Sequence, residues 1–145
     1  MKFYLLVKST DEIKNIARET LITEADSVKN LVSFIGNDFV KTVETIFHSK
    51  GRVVITGIGK SAIIAQKIVA TLNSTGTPAS FMHAADAVHG DLGTIQREDI
   101  VICISKSGNS AEVKVLVPLL KSSGNKLVAM VSNVDSYLAK QADFV

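Results

Sequence analysis

The sequence predicts an α/β fold, a three-layer doubly wound parallel sheet. Two observations predict it. Apolar runs without polar alternation occur at residues 53–56, 100–104 and 127–131, as expected of strands buried on both faces. Each run is followed by a turn and then by apolar residues at helical spacing, the rhythm of strands joined by crossover helices. The right-handed crossover rule then makes helices on both faces the simplest topology.

The elements follow in order. The apolar run at residues 3–7 is too short for a signal-peptide core. Ser9 with Glu12 three residues later reads as a capping box. Ile13, Ile16, Ala17, Leu21, Val28, Leu31, Val32 and Ile35 then recur at helical spacing with gaps, and Gly36 is the stop. A second helix is expected from Asn37 or Asp38 to Gly51, turning Phe39, Val40, Val43, Ile46 and Phe47 inward. Residues 1–50 thus form a helical segment packing on a core of residues 51–145. They carry no recognisable chemistry, and their apolar positions suit packing against a core or another subunit. After the 53–56 strand, Ile64, Ile68, Val69 and Leu72 are expected on the inner side of a helix. Residues 73–78 are a loop, and 79–82 a short strand. After the 100–104 strand comes a helix over 111–123 with Val113, Leu116, Val117 and Leu120 inward, which Pro118 should bend or weaken. A short helix over 136–141 follows the 127–131 strand, and Phe144-Val145 starts a further strand.

Composition excludes several function classes. The 145 residues are 46% apolar and 21% charged, so low-complexity and disordered architectures are ruled out. Sixteen basic against fourteen acidic residues give a net charge of +2, with no clustered basic face for nucleic acid. No stretch is long enough to span a bilayer. The lone Cys103 lies inside an apolar run and reads as a buried small hydrophobe. A cytoplasmic protein without nucleic-acid or membrane partners is expected.

Two turns sit where strands end at their carboxyl edge, the ligand-binding edge of such sheets. Gly57-Ile58-Gly59-Lys60-Ser61-Ala62 loosely matches a dinucleotide fingerprint. The acidic residue wanted about 20 positions on is missing, since Thr77, Pro78 and Ala79 stand there and Asp86 is too far. The Walker pattern fails because its first glycine would fall at Val54. Gly57 and Gly59 still permit a tight turn, and Ser61 presents donors at a helix N-terminus, which favours an anion. Ser105-Lys106-Ser107-Gly108-Asn109-Ser110 places three hydroxyls and a glycine before the next helix. Such a turn can form a nest of backbone N–H groups. Either turn alone is as well explained by helix capping. Together at one sheet edge they point to a phosphate monoester. Glu112, in the first turn of that helix, either complements its dipole or serves as a general base. Lys60 is either solvated or neutralises an oxyanion. His83, Asp86 and His89 recur every three residues, but spacing does not establish the convergence a metal needs. His89, beside Gly90 and Asp91, suits an acid/base or orienting donor.

These residues carry a resemblance. Gly51-Arg52-Val53-Val54-Ile55-Thr56-Gly57-Ile58-Gly59-Lys60-Ser61, Ser74-Thr75-Gly76-Thr77-Pro78, His89-Gly90-Asp91-Leu92-Gly93 and Ile104-Ser105-Lys106-Ser107-Gly108 closely resemble the sugar isomerase (SIS) domain. The likeness runs from about residue 24 to 145 and is nearest to the D-arabinose 5-phosphate isomerases of the Kdo pathway, which serves lipopolysaccharide or capsule synthesis. It implies a five-stranded sheet in flavodoxin-like order. It implies that Gly57, Gly59, Ser61, Ser105, Ser107, Gly108, Asn109 and Ser110 bind a phosphosugar, with the four serines holding its phosphate. Lys60, His89 and Glu112 would be the catalytic set. The implied reaction is aldose–ketose isomerisation of D-arabinose 5-phosphate to D-ribulose 5-phosphate through a cis-enediol, without metal or organic cofactor. It also implies a homotetramer with the active site at a subunit junction, so that His89 acts in a neighbour's site.

Departures from the family are visible. Many relatives carry Asn where this chain has Lys106, and Glu or Asp where it has Asn109. Relatives continue beyond the fifth strand with another glutamate and a histidine of the active site, and many append paired CBS modules. This chain stops at Val145, so truncation at the fifth strand is expected. The competing reading is a non-catalytic sugar-phosphate or nucleotide-sugar binding and regulatory SIS domain. The residues before Gly51 show no basic recognition helix of the kind such regulators use.

Overall fold

The computed structural model describes residues 8–145, so the run at residues 3–7 lies outside the described residues. The chain divides between Gly36 and Asn37 into two compact units. The first contains helix α1 (Thr10–Asn30) and a 3-10 turn (Leu31–Phe34). Ser9 caps α1 reciprocally: Glu12 N donates to Ser9 Oγ (3.3 Å) and Ser9 N to Glu12 Oε2 (2.7 Å). This satisfies two amide groups that would otherwise be orphaned. No residue of α1 or of the 3-10 turn is buried.

The second unit begins with α2 (Asn37–His48), which the sequence had grouped with the helical segment of residues 1–50. Ile46 packs on the sheet core, and Val145 N donates to Asp38 Oδ2 (3.0 Å), so α2 folds with the α/β unit. The inward set expected for α2 is reduced to Ile46. Phe39, Val40, Val43 and Phe47 are exposed, because α2 meets the core along only part of its apolar face.

The remaining elements alternate: β1 (Val53–Gly57), α3 (Lys60–Ser74), β2 (Ala79–His83), β3 (Ile100–Ser105), α4 (Ala111–Ser122), β4 (Lys126–Val131) and α5 (Tyr137–Gln141). The four strands are parallel in the order β2-β1-β3-β4. Phe144 forms a parallel bridge with Val128, placing the start of a fifth strand beside β4. The resulting order is the flavodoxin-like one.

Alternation along the strands divides the core into two clusters. Val54, Val101, Cys103, Leu127 and Ala129 face α4 and α5 through Val113, Leu116, Val117, Leu120 and Leu138. Val53, Ile55, Ile100, Ile102 and Val128 face α3 through Ala65, Ile68, Val69 and Leu72. Helices on both faces explain why these strands show no polar alternation. Ile64 is exposed, contrary to the helical spacing, and the inner stripe of α3 starts at Ala62. The face of α3 that meets the sheet carries the small Ala62 and Ala65, which a pattern of large apolar residues passes over. Helix α4 runs unbroken through Pro118, which sits on its exposed face.

Asp99 fixes the amino edge of the sheet. It is buried and accepts from Arg52 N (2.7 Å), Arg52 Nη2 (2.9 Å) and Gln96 N (2.9 Å). Burial pushes its carboxyl up, but the Arg52 side-chain and backbone bonds and the Gln96 amide together hold it below the ordinary aspartate value. Among the described residues no helix is long and apolar enough to cross a membrane.

Candidate functional site

The carboxyl ends of β1 and β3 are adjacent, with Gly57 opposite Ile104. In the order β2-β1-β3-β4 this is where the chain reverses direction across the sheet, so the two turns that leave these strands diverge and open a crevice. A cleft of about 460 Å³ occupies it, within the range of small-molecule sites. Ser61 lines it from the first turn, and Ser105, Ser107 and Ser110 from the second. Ile58, Ile104, Lys106 and Ser132 complete the walls. The two turns singled out by sequence therefore line one cleft.

Two helices start at this cleft. Ser61 is in the first turn of α3, and Ser110 is the N-cap of α4, its Oγ accepting from Val113 N (3.4 Å). The positive ends of both helix dipoles favour an anion there.

The sequence suggested a nest of backbone amides, and three amides of these turns are used within the protein. Ser61 N donates to Ile58 O (3.1 Å), Gly108 N to Ser105 Oγ (3.1 Å) and Asn109 N to Ser107 Oγ (3.2 Å). The second turn closes on its own serine side chains because Gly108 adopts φ +64°. A hydroxyl that accepts an amide hydrogen keeps its own O–H to donate. Ser105 and Ser107 thus each keep an O–H donor in the cleft wall.

Gly108 and Asn109 do not line the cleft but lock the turn. Leu138 N donates to Gly108 O (3.0 Å), and a side chain at 108 would collide with Ser136, the N-cap of α5. Asn109 Nδ2 donates to Ser107 O (3.1 Å), while its Oδ1 accepts from Tyr137 N (2.9 Å). Gly57 and Gly59 shape the first turn from behind Ser61. Lys60, the first residue of α3, is exposed at the same edge.

Glu112 stands in the first turn of α4, beside Ser110. Its own backbone N–H, and then the Ser110 hydroxyl, hold its carboxyl below the usual glutamate range. His89 ends a 3-10 turn (Ala87–His89); it is exposed, and its amide donates to Asp86 O (2.9 Å). Neither it nor Glu112 nor Lys60 lines the cleft. His83 Nδ1 lies 3.6 Å from Asp86 Oδ2, and among the described residues no three His, Cys, Asp or Glu side chains converge as metal ligands. Cys103 is buried, which pushes its thiol up to about 12.

Residues 46–145 match the SIS domain. The chain belongs to the SIS domain family. Its SIS domain is similar to arabinose 5-phosphate isomerase KdsD of Pseudomonas aeruginosa, 48% identical over 127 residues, covering 88% of this chain and 39% of that protein. It is 42% identical over 136 residues to arabinose 5-phosphate isomerase GutQ of Salmonella typhimurium, covering 94% of this chain and 42% of that protein. The chain thus spans about two fifths of the length of these relatives. The SIS fold also superposes on an Escherichia coli CFT073 protein solved in complex with arabinose 5-phosphate, with a TM-score of 0.89 and 36% identity, over 94% of this chain and 73% of that one.

Sequence reasoning left two polar lining residues outside the binding set. Ser132 follows β4 at the same carboxyl edge, and its amide bonds to Lys106 O (3.2 Å). Its position directly after an apolar strand was the available signal. Lys106 was visible as a departure from the family, and the structure places it in the cleft wall.

Proposed function

We propose that the cleft binds the phosphate of an open-chain sugar phosphate and that the protein isomerises D-arabinose 5-phosphate and D-ribulose 5-phosphate. The observation that carries this reading is the convergence of Ser61, Ser105, Ser107 and Ser110 on one cleft at two helix N-termini. Relatives named arabinose 5-phosphate isomerase, and a similar fold solved with that sugar phosphate, support the substrate class.

In this reading the phosphate is anchored by the serine hydroxyls, and the aldehyde end reaches toward Lys60, His89 and Glu112. Glu112 takes the proton from C2 and returns it to C1. The Lys60 ammonium stabilises the enediolate oxygen, worth about 2–4 kcal/mol for an oxyanion donor of this kind. His89, supplied by the same or a neighbouring subunit, assists ring opening and moves a proton between O1 and O2.

The assembly proposed is a homotetramer with the active site at a subunit junction. Exposed Phe39, Val40, Val43 and Phe47 on α2 and an α1 without buried residues supply apolar surface for it. A cytoplasmic role supplying Kdo synthesis completes the reading.

Incubating the full-length protein with pentose and hexose phosphates, and following aldose–ketose conversion by NMR, tests the proposal. Conversion confined to the arabinose and ribulose 5-phosphate pair is the expected result. Binding without conversion supports a non-catalytic sensor, and neither binding nor conversion overturns the reading.

A further inference from the structure

The cleft is walled by five serines, two isoleucines and a single charged side chain, Lys106. This lysine is exposed, and its ammonium has no ion-pair or hydrogen-bond partner among the described residues. Its backbone is nonetheless fixed. Lys106 O accepts from Ser132 N (3.2 Å), and the serines on either side are tied by the Gly108 and Asn109 amides. A free cation is therefore carried on the same short turn that presents the hydroxyl donors.

We propose that Lys106 sets the charge preference of this cleft, selecting a doubly ionised phosphate monoester over a singly charged ester of the same shape. The inference rests on the sugar-phosphate reading of the same cleft. Neutral hydroxyls donate to phosphate and sulfate oxygens alike, so the serines recognise shape without strongly counting charge. An anion, Glu112 beside the lining residue Ser110, opposes a dianion. Helix N-termini offset this only modestly. A lysine ammonium is a mobile point charge suited to the second ionisation of a phosphate monoester. One additional unit of negative charge at ion-pair distance changes binding about fivefold even in a water-like dielectric. The preference created by Lys106 is therefore expected at that order, with a larger overall loss of about tenfold when a charge-assisted contact disappears.

The test is titration of the full-length protein with D-arabinose 5-phosphate and with D-arabinose 5-sulfate, read by calorimetry or chemical-shift change. Wild type is expected to bind the phosphate more tightly. K106Q should weaken phosphate binding about tenfold and lower the phosphate-to-sulfate affinity ratio about fivefold, while K106R retains most of the ratio. Circular dichroism checks that K106Q is folded, and K106M, which keeps the aliphatic stem, gives the same readout if it is not. An unchanged ratio in folded K106Q or K106M overturns the inference while leaving the sugar-phosphate reading in place. Failure of wild type to bind either ester overturns both.

Discussion

Gly108→Ala probes how the turn between β3 and α4 is built. Gly108 has φ +64°, and an added Cβ would sit 2.6 Å from Ser136 Cβ and even closer to Ser136 Oγ. Two costs follow. A non-glycine residue in the left-handed region costs about 1–2 kcal/mol. Displacing buried Ser136, whose Oγ caps α5 at Ala139 N (3.3 Å), adds about 2 kcal/mol of overpacking and lost capping. The sum is about 3–4 kcal/mol, or a fall in Tm of about 10 °C or more for a domain of this size. Gly124→Ala supplies the control. Gly124 has φ +79° but open space around it, so only the conformational cost of about 1–2 kcal/mol applies. Ser136→Gly supplies the second control, because removing that side chain should bring the cost of Gly108→Ala down to the Gly124→Ala value. Urea unfolding of the single and double variants measures all of these. The reasoning fails if Gly108→Ala costs no more than Gly124→Ala, or if its cost is the same in the Ser136→Gly background.

Asp99→Asn should cost about 3 kcal/mol in urea unfolding, because a buried charged acceptor with three donors loses its charge while Arg52 stays in place. Asp99 and Asp143 both have carboxyls held below the ordinary aspartate value of 3.8, so their contribution is present above that pH and is lost as pH falls through the lower folded value. Thermal midpoints should therefore drop below about pH 4, with a shallower acid limb in Asp99→Asn. The combined F39S/F47S variant should leave urea stability within about 0.5 kcal/mol in the monomer, since both side chains are exposed, but should lower the sedimentation mass. Cys103, buried and with its thiol raised to about 12, should react with a thiol reagent at pH 8 only as the protein unfolds. Labelling on mixing, without denaturant, would contradict its placement in the core.

Much of this architecture was legible because each local signal agreed with the global one. The run at residues 100–104 has no polar alternation because helices cover both faces of β3, through Val113 and Leu116 on one side and Ala65 on the other. Ser9 and Glu12 announced α1 because a reciprocal cap needs only neighbours along the chain. What spacing could not convey was how far each apolar stripe meets a partner. Phe39, Val40, Val43 and Phe47 have the pattern of a buried face, but periodicity does not say whether the partner lies in the same chain. Ile64 failed for a different reason. The buried positions in the first half of α3 are the small Ala62 and Ala65, and a periodicity read from large apolar side chains passes them over.

The site shows the same division. Convergence of the turns after β1 and β3 follows from topology, since adjacent parallel strands must end side by side. Which groups face the ligand does not follow, because it depends on how each turn closes. Gly108 lets the second turn fold the Gly108 and Asn109 amides onto the Ser105 and Ser107 hydroxyls. Asn109, suggested as a ligand contact by its place in the motif, instead binds Ser107 O and the Tyr137 amide, joining the turn to α5 across 28 residues of sequence. That long-range bond makes the orientation of this turn depend on α5, whose N-cap Ser136 is also the side chain packed against Gly108. Any ligand that tightens the turn must therefore also protect the start of α5. Slower amide hydrogen exchange at Tyr137 and Leu138, whose N–H groups donate to Asn109 and Gly108, is the consequence to measure on adding D-arabinose 5-phosphate, and unchanged exchange there would show that the turn and α5 are not coupled.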